Sequence, residues 1–142
     1  MRVTQLFEDA RKLPPGDQVG YISERLDEAL IDSRISIWRR GEPVQRTGHW
    51  ILLGIAPYSL PDLQLVDELR EGLKQGSRSD ESFQVFDVLS CSTMNDFDEC
   101  IPGIGSVYQT PVLGIWENGV LVEKATGAKA RQLVIERCGL KR

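Results

Sequence analysis

Residues 50–56 read Trp-Ile-Leu-Leu-Gly-Ile-Ala, a run without one polar side chain. A strand with one wet face alternates apolar and polar residues, whereas a run that is apolar throughout belongs to a strand covered on both faces. It is far shorter than the ~20 residues a bilayer span requires. A strand buried on both faces needs a layer above and a layer below, and helices are the elements that supply them. With 142 residues, the chain is long enough for one domain with a full core.

The remaining pattern provides the layers. Residues 4–12 predict a short helix stopped by Pro14, Pro15 and Gly16. Asp17 is a good N-cap for a helix over 17–31, with Val19, Ile22, Leu26, Ala29 and Leu30 on one face, ending near Asp32 and Ser33. That face suits either packing on its own sheet or a homodimer contact. Ile35 to Trp38 alternates like a strand, residues 39–43 make a turn, and Val44 to Arg46 return as a short hairpin arm. After the apolar run, Pro61 opens a helix with Leu65, Val66, Leu69 and Leu73 inward and Gly76 as its stop. Residues 77–82 form a polar loop. Phe83 to Leu89 is a strand, and a short helix lies within 94–101, broken by Gly103 and Gly105. Strands at Pro111–Trp116 and Val120–Val122 are joined through Asn118-Gly119, a strong hairpin signal. A last helix places Ala130, Leu133, Val134 and Cys138 on one face, with Gly139 at its end.

From residue 49 the order is strand, helix, strand, helix, strand, strand, helix. This predicts an α/β chain with a mixed sheet covered by helices on both faces. Residues 1–48 are expected to be a helical segment plus hairpin packed on a core of residues 49–142.

Composition narrows the function. Acids outnumber bases, giving a net charge of −4, which argues against a general nucleic-acid binder. Arg34, Arg39, Arg40 and Arg46 make one stretch locally basic, read either as a solvated hairpin surface or as a patch for an acidic partner. The N-terminus has no long apolar segment of the signal-peptide kind, and no run is long enough for a membrane span. A cytoplasmic protein is therefore expected. The three cysteines, Cys91, Cys100 and Cys138, fit a reducing compartment better than a disulfide framework. With His49 as the only histidine, no metal site is expected, and nothing calls for a cofactor.

Thr110-Pro111 opening a strand, Asn118-Gly119 in the next turn and Gly127 after the hairpin resemble the thioredoxin family. The resemblance covers roughly residues 49–138 and is most specific over 110–127. In that family a buried strand ends in Ala, followed by Trp and then Cys-Gly-Pro-Cys at a helix entry. Here Ala56 is followed by Pro57, Tyr58, Ser59, Leu60, Pro61 and Asp62. The resemblance puts Tyr58 in the tryptophan's place, Ser59 in the nucleophilic cysteine's, Pro61 in the proline's and Asp62 in the resolving cysteine's. Leu53 falls where the family keeps a buried acid. It also implies a cis Thr110–Pro111 peptide, in a loop whose backbone pairs with an extended substrate.

Disulfide exchange needs a thiolate nucleophile and a thiol leaving group. A serine hydroxyl stays un-ionised at neutral pH, so the degenerate motif cannot perform it. Ser59 instead suits a helix cap and Asp62 a first-turn charge. His49 opens the strand that Ser59 follows, about 20 Å away along an extended chain, so a Ser–His pair is not expected. Helix N-termini attract anions, but Asp62 opposes one here. Asp87, inside an apolar strand, is a candidate buried acid that needs a hydrogen-bond or cationic partner. Cys91 and Cys100 are either separate reduced thiols or a displaced redox pair, and Cys138 suits helix packing.

Two functions remain in view. One is a redox-inactive binding module, an assembly factor or chaperone. It would hold a protein or peptide at the Thr110-Pro111 loop, with Tyr58, Tyr108, Trp50 and Trp116 as candidate anchors. The other is a non-standard thiol oxidoreductase or redox sensor using Cys91 and Cys100.

Overall fold

The apolar run becomes the middle strand of a five-stranded sheet. A computed structural model describes residues 2–31, 33–43, 47–75 and 81–139. The elements, in chain order, are α1 (Val3–Ala10), α2 (Pro15–Ala29), β1 (Ile35–Ile37), β2 (His49–Ile55), α3 (Leu60–Gln75), β3 (Glu81–Asp87), a 3₁₀ turn (Val88–Ser90), α4 (Met94–Cys100), β4 (Val112–Glu117), β5 (Val120–Thr126) and α5 (Gly127–Cys138). The sheet order is β1-β3-β2-β4-β5. β1, β3 and β2 run parallel, and β4 and β5 are antiparallel.

Strand alternation divides the core in two. Ile51, Leu53, Ile55, Phe83, Val85, Leu113 and Ile115 face α1, α2, α3 and α5. Trp50, Leu52, Phe86, Val112 and Trp116 point to the other face, where α4 contributes Cys100 and partly buried Phe97. The run is apolar at every position because both faces of β2 are covered. Trp50 and Trp116 pack there with ring centroids 4.4 Å apart. Both are buried, which removes them as binding anchors.

The N-terminal segment differs from its expectation in two ways. Asp17 is not the cap of α2: the helix begins at Pro15 and Asp17 lies in its first turn. Pro at the first position has its φ pre-set and lacks an N–H that would have been unpaired there. Ile35–Ile37 forms an edge strand that pairs in parallel with Phe83–Val85 of β3, so residues before 49 contribute to the sheet itself. The apolar face of α2 (Ile22, Leu26 and Ala29) is buried within the chain's own core. The expected return arm at Val44 to Arg46, the helix end at Asp32, the stop at Gly76 and residues 77–80 lie outside the described residues.

α1 is held by a distant acid. The carboxylate of Asp67 on α3 accepts from the Val3 N–H (2.7 Å), the Thr4 N–H (3.0 Å) and the Thr4 hydroxyl (2.7 Å). The N-cap residue Arg2 offers no side-chain bond of its own, so α3 caps α1 in trans.

Candidate functional site

Three loops leave the sheet at one end. β2 ends at Ile55 and β3 at Asp87, and these two residues are register partners. β4 starts at Val112, paired with Gly54. The segments 56–59, 88–93 and 105–111 therefore emerge together. They carry Tyr58 and Ser59, Cys91 and the Thr110–Pro111 peptide, which is cis.

At the entry of α3, the Ser59 hydroxyl accepts from the Asp62 N–H at 3.4 Å. α3 begins at Leu60, one residue before the proline that sequence placed first. Asp62 is 1 % exposed. Its carboxylate accepts from the Ala56 N–H at 3.0 Å and pairs with Arg131 of α5 at 3.4 Å. Arg131 also donates to the Pro61 carbonyl at 3.1 Å. Asp62 is thus more than a first-turn charge: it ties the end of β2 to α3 and α5. Leu53 is buried in the first core cluster. Tyr58, by contrast, is 58 % exposed. His49 sits at the opposite end of β2, half-buried, its Nδ1 3.7 Å from Glu117.

Asp87 is not buried. It ends β3, half-exposed, and accepts from the Leu89 N–H at 2.8 Å, capping the 3₁₀ turn. A carboxylate at a strand end needs only this cap and solvent, which removes the cost that made it conspicuous in the sequence. The basic stretch is also matched by acids. Arg39 reaches Asp27 at 2.6 Å, and Arg40 pairs with Asp96 and, at 3.8 Å, with Glu99 of α4. Arg46 lies outside the described residues.

α4 starts from a capping box. The Thr93 hydroxyl accepts from the Asp96 N–H, and the Asp96 carboxylate accepts from the Thr93 and Ser92 N–H groups at 3.2 and 2.8 Å. These bonds, the one from Ser92 foremost, and the Arg40 charge hold the Asp96 carboxyl below the usual carboxylate range. The far end of this helix lies close to the loop before it. Its last residue, Cys100, brings its Sγ within 3.7 Å of the Cys91 Sγ. Cys100 is 3 % exposed and Cys91 half-buried. Burial first, and the nearby Cys91 second, push the Cys100 thiol up to about 12. Cys138 packs against the first core cluster, on the other face of the sheet.

The third loop is bare. Tyr108 is 90 % exposed. Among the described residues, no backbone–backbone hydrogen bond involves residues 105–110. The Pro111 carbonyl, just beyond, accepts from the Gly127 N–H at 2.8 Å, and the Ser106 hydroxyl reaches the Met94 sulfur at 3.4 Å. Exposed Leu89 and Met94 flank the same end. Sequence reasoning did not single out Leu89, Met94, Arg131 or Gly127's bond. Leu89 read as a strand residue, and Arg131 is 69 positions from Asp62, beyond any local pattern. Among the described residues, no group of three or more His, Cys, Asp and Glu side chains is placed to hold a metal ion. No helix among them is long and apolar enough to cross a membrane.

No protein-family model matches the chain, and no curated protein matches it. Solved structures do. ERdj5 in crystal form I is 14% identical, with 84% of this chain and 15% of that chain covered and a TM-score of 0.52. ERdj5 in form II is 15% identical, with 77% and 14% covered and a TM-score of 0.50. The chain thus spans about one seventh of the length of these ERdj5 chains. At such identity the likeness concerns the fold alone. The strand order, the helices on both faces and these neighbours give the chain a thioredoxin-like fold.

Proposed function

We propose that the chain is a protein-binding module that holds an extended segment of a partner at the loop end of its sheet. No thiol exchange occurs at the α3 entry. One observation carries this reading: the backbone of residues 105–110 makes no backbone–backbone bond among the described residues, beside the exposed ring of Tyr108. Free N–H and C=O groups on an exposed segment pair readily with an extended chain, and neighbouring side chains add selectivity. Tyr58, Leu89 and Met94 offer the apolar surface around it. An assembly factor or chaperone would use such a face.

The motif supports the negative half. Ser59 caps α3, and Asp62, which the family resemblance sets in the second thiol's place, is buried and paired with Arg131. A catalytic dithiol at Cys91 and Cys100 fits less well. Cys100 is buried and held as the thiol, and turnover needs an accessible thiolate.

Panning phage-displayed random peptides against the purified chain tests the reading. The expected outcome is an enriched set of peptides whose binding weakens at least tenfold in Tyr108→Ala. Enriched peptides that bind Tyr108→Ala and Tyr58→Ala as they bind the parent chain would sink it.

A further inference from the structure

We propose that Cys91 and Cys100 form a reversible disulfide site, closed by a small disulfide such as glutathione disulfide and reopened by thiols. The proposal does not rest on the peptide-binding reading. The two sulfurs already touch at 3.7 Å. A disulfide bond is ~2.05 Å long, so the sulfurs must close by about 1.7 Å, a movement on the scale of side-chain rotation. The backbone that brings them together is held on both sides. The Cys91 N–H donates to the Val88 carbonyl at 3.0 Å, and α4 is fixed by its capping box and by Arg40. Cys138 lies across the sheet and does not compete.

The two thiols have different roles. Cys91, half-buried at the loop end, is the one a small disulfide can reach. Its thiolate attacks one sulfur of glutathione disulfide, the glutathione S–S bond breaks, and one glutathione thiolate leaves. The Cys100 thiol then releases its proton to solvent and attacks the Cys91 sulfur. The mixed disulfide breaks and the second glutathione leaves. Two protein thiols have lost two electrons and two protons, and one glutathione disulfide has become two glutathiones. Cys100 deprotonation is the harder step, because burial opposes it, while the Arg40 charge favours it. The result is a slow, stoichiometric bond between the 3₁₀ turn and the end of α4, with the α4 segment looped between.

The test is equilibration of the folded, reduced chain with glutathione buffers of rising oxidised fraction, followed by acid quench, maleimide tagging and intact mass. The expected product is lighter by two hydrogens and takes one tag instead of three. Peptide mapping should place the bridge at Cys91–Cys100, and dithiothreitol should reverse it. Cys100→Ala should trap a glutathione adduct on Cys91, whereas Cys91→Ser should carry none at Cys100. The proposal is overturned if the folded parent chain keeps both thiols taggable in oxidised glutathione, or if the bridge includes Cys138. An adduct on Cys100 in Cys91→Ser, with none on Cys91 in Cys100→Ala, would overturn the assigned order of attack.

Discussion

Asp62 ties three segments together at the entry of α3. It is buried, accepts the Ala56 N–H and faces Arg131. Removing one member of a buried pair leaves the other without its counter-charge, which is costly. Asp62→Ala should therefore destabilise the chain by about 2–4 kcal/mol in urea unfolding. Combining it with Arg131→Ala should cost less than the sum of the two single changes, since the pair is broken only once. Additive losses would show that the two residues are not coupled. Cys100 gives a pH test. Its thiol is pushed up to about 12, so the folded state keeps a proton that the unfolded state loses near its ordinary value of ~8.5. Stability is complete below that value and falls as pH rises toward the folded one. Between about pH 8 and about pH 10 the reduced chain should lose about 1–2 kcal/mol relative to Cys100→Ala. Parallel pH profiles for the two proteins would contradict the assigned shift. Ser59 and Asp62 were singled out in the sequence through the family resemblance, as a helix cap and a first-turn charge. The partner Arg131 was not, because no local rule connects residues 69 apart.

Among the elements, the helices and strands after residue 49 followed from periodicity, because each buries a regular stripe or alternates across the sheet. The N-terminal third was read less well. β1 was legible as a strand, but its pairing with Phe83–Val85 was not, because that partner is distant in sequence. Asp87 looked buried because the apolar run was extended through Leu89, when the strand stops at Asp87 and a 3₁₀ turn follows. Two element junctions offer tests. Asp67 caps α1 from α3, so Asp67→Ala should cost about 1–2 kcal/mol and speed hydrogen exchange at the Val3 and Thr4 amides before the rest of the chain. Unchanged exchange there would show that α1 holds itself. Gly127 has a φ of 62° and sits against the Gln109 side chain, where a Cβ would collide. Its N–H holds the Pro111 carbonyl. Gly127→Ala should cost about 1–2 kcal/mol. It should also weaken peptides selected on the parent chain, because the added Cβ pushes against Gln109 in the bare loop. A variant that is destabilised but binds unchanged would separate the loop from this junction.

At the scale of the whole molecule, sheet topology gathers the working surface. Parallel β2 and β3 and the returning β4 send three loops to one end, and the exposed Tyr58, Leu89, Met94 and Tyr108 lie on them or beside them. The sequence indicated the fold and placed candidate residues on all three loops. It could not show that the end of α4 brings Cys100 within 3.7 Å of Cys91, nor that Trp50 and Trp116 face inward against each other. Those outcomes depend on how distant segments pack. The central claim is that an extended partner segment pairs with the bare backbone at this end. Hydrogen-exchange mass spectrometry of the chain, with and without a selected peptide at saturation, tests it most directly. The account predicts slowed exchange at the amides of residues 105–110, with Tyr58 and its neighbours next, and little change at β5 or α1. Protection that spares residues 105–110 and appears elsewhere would contradict it.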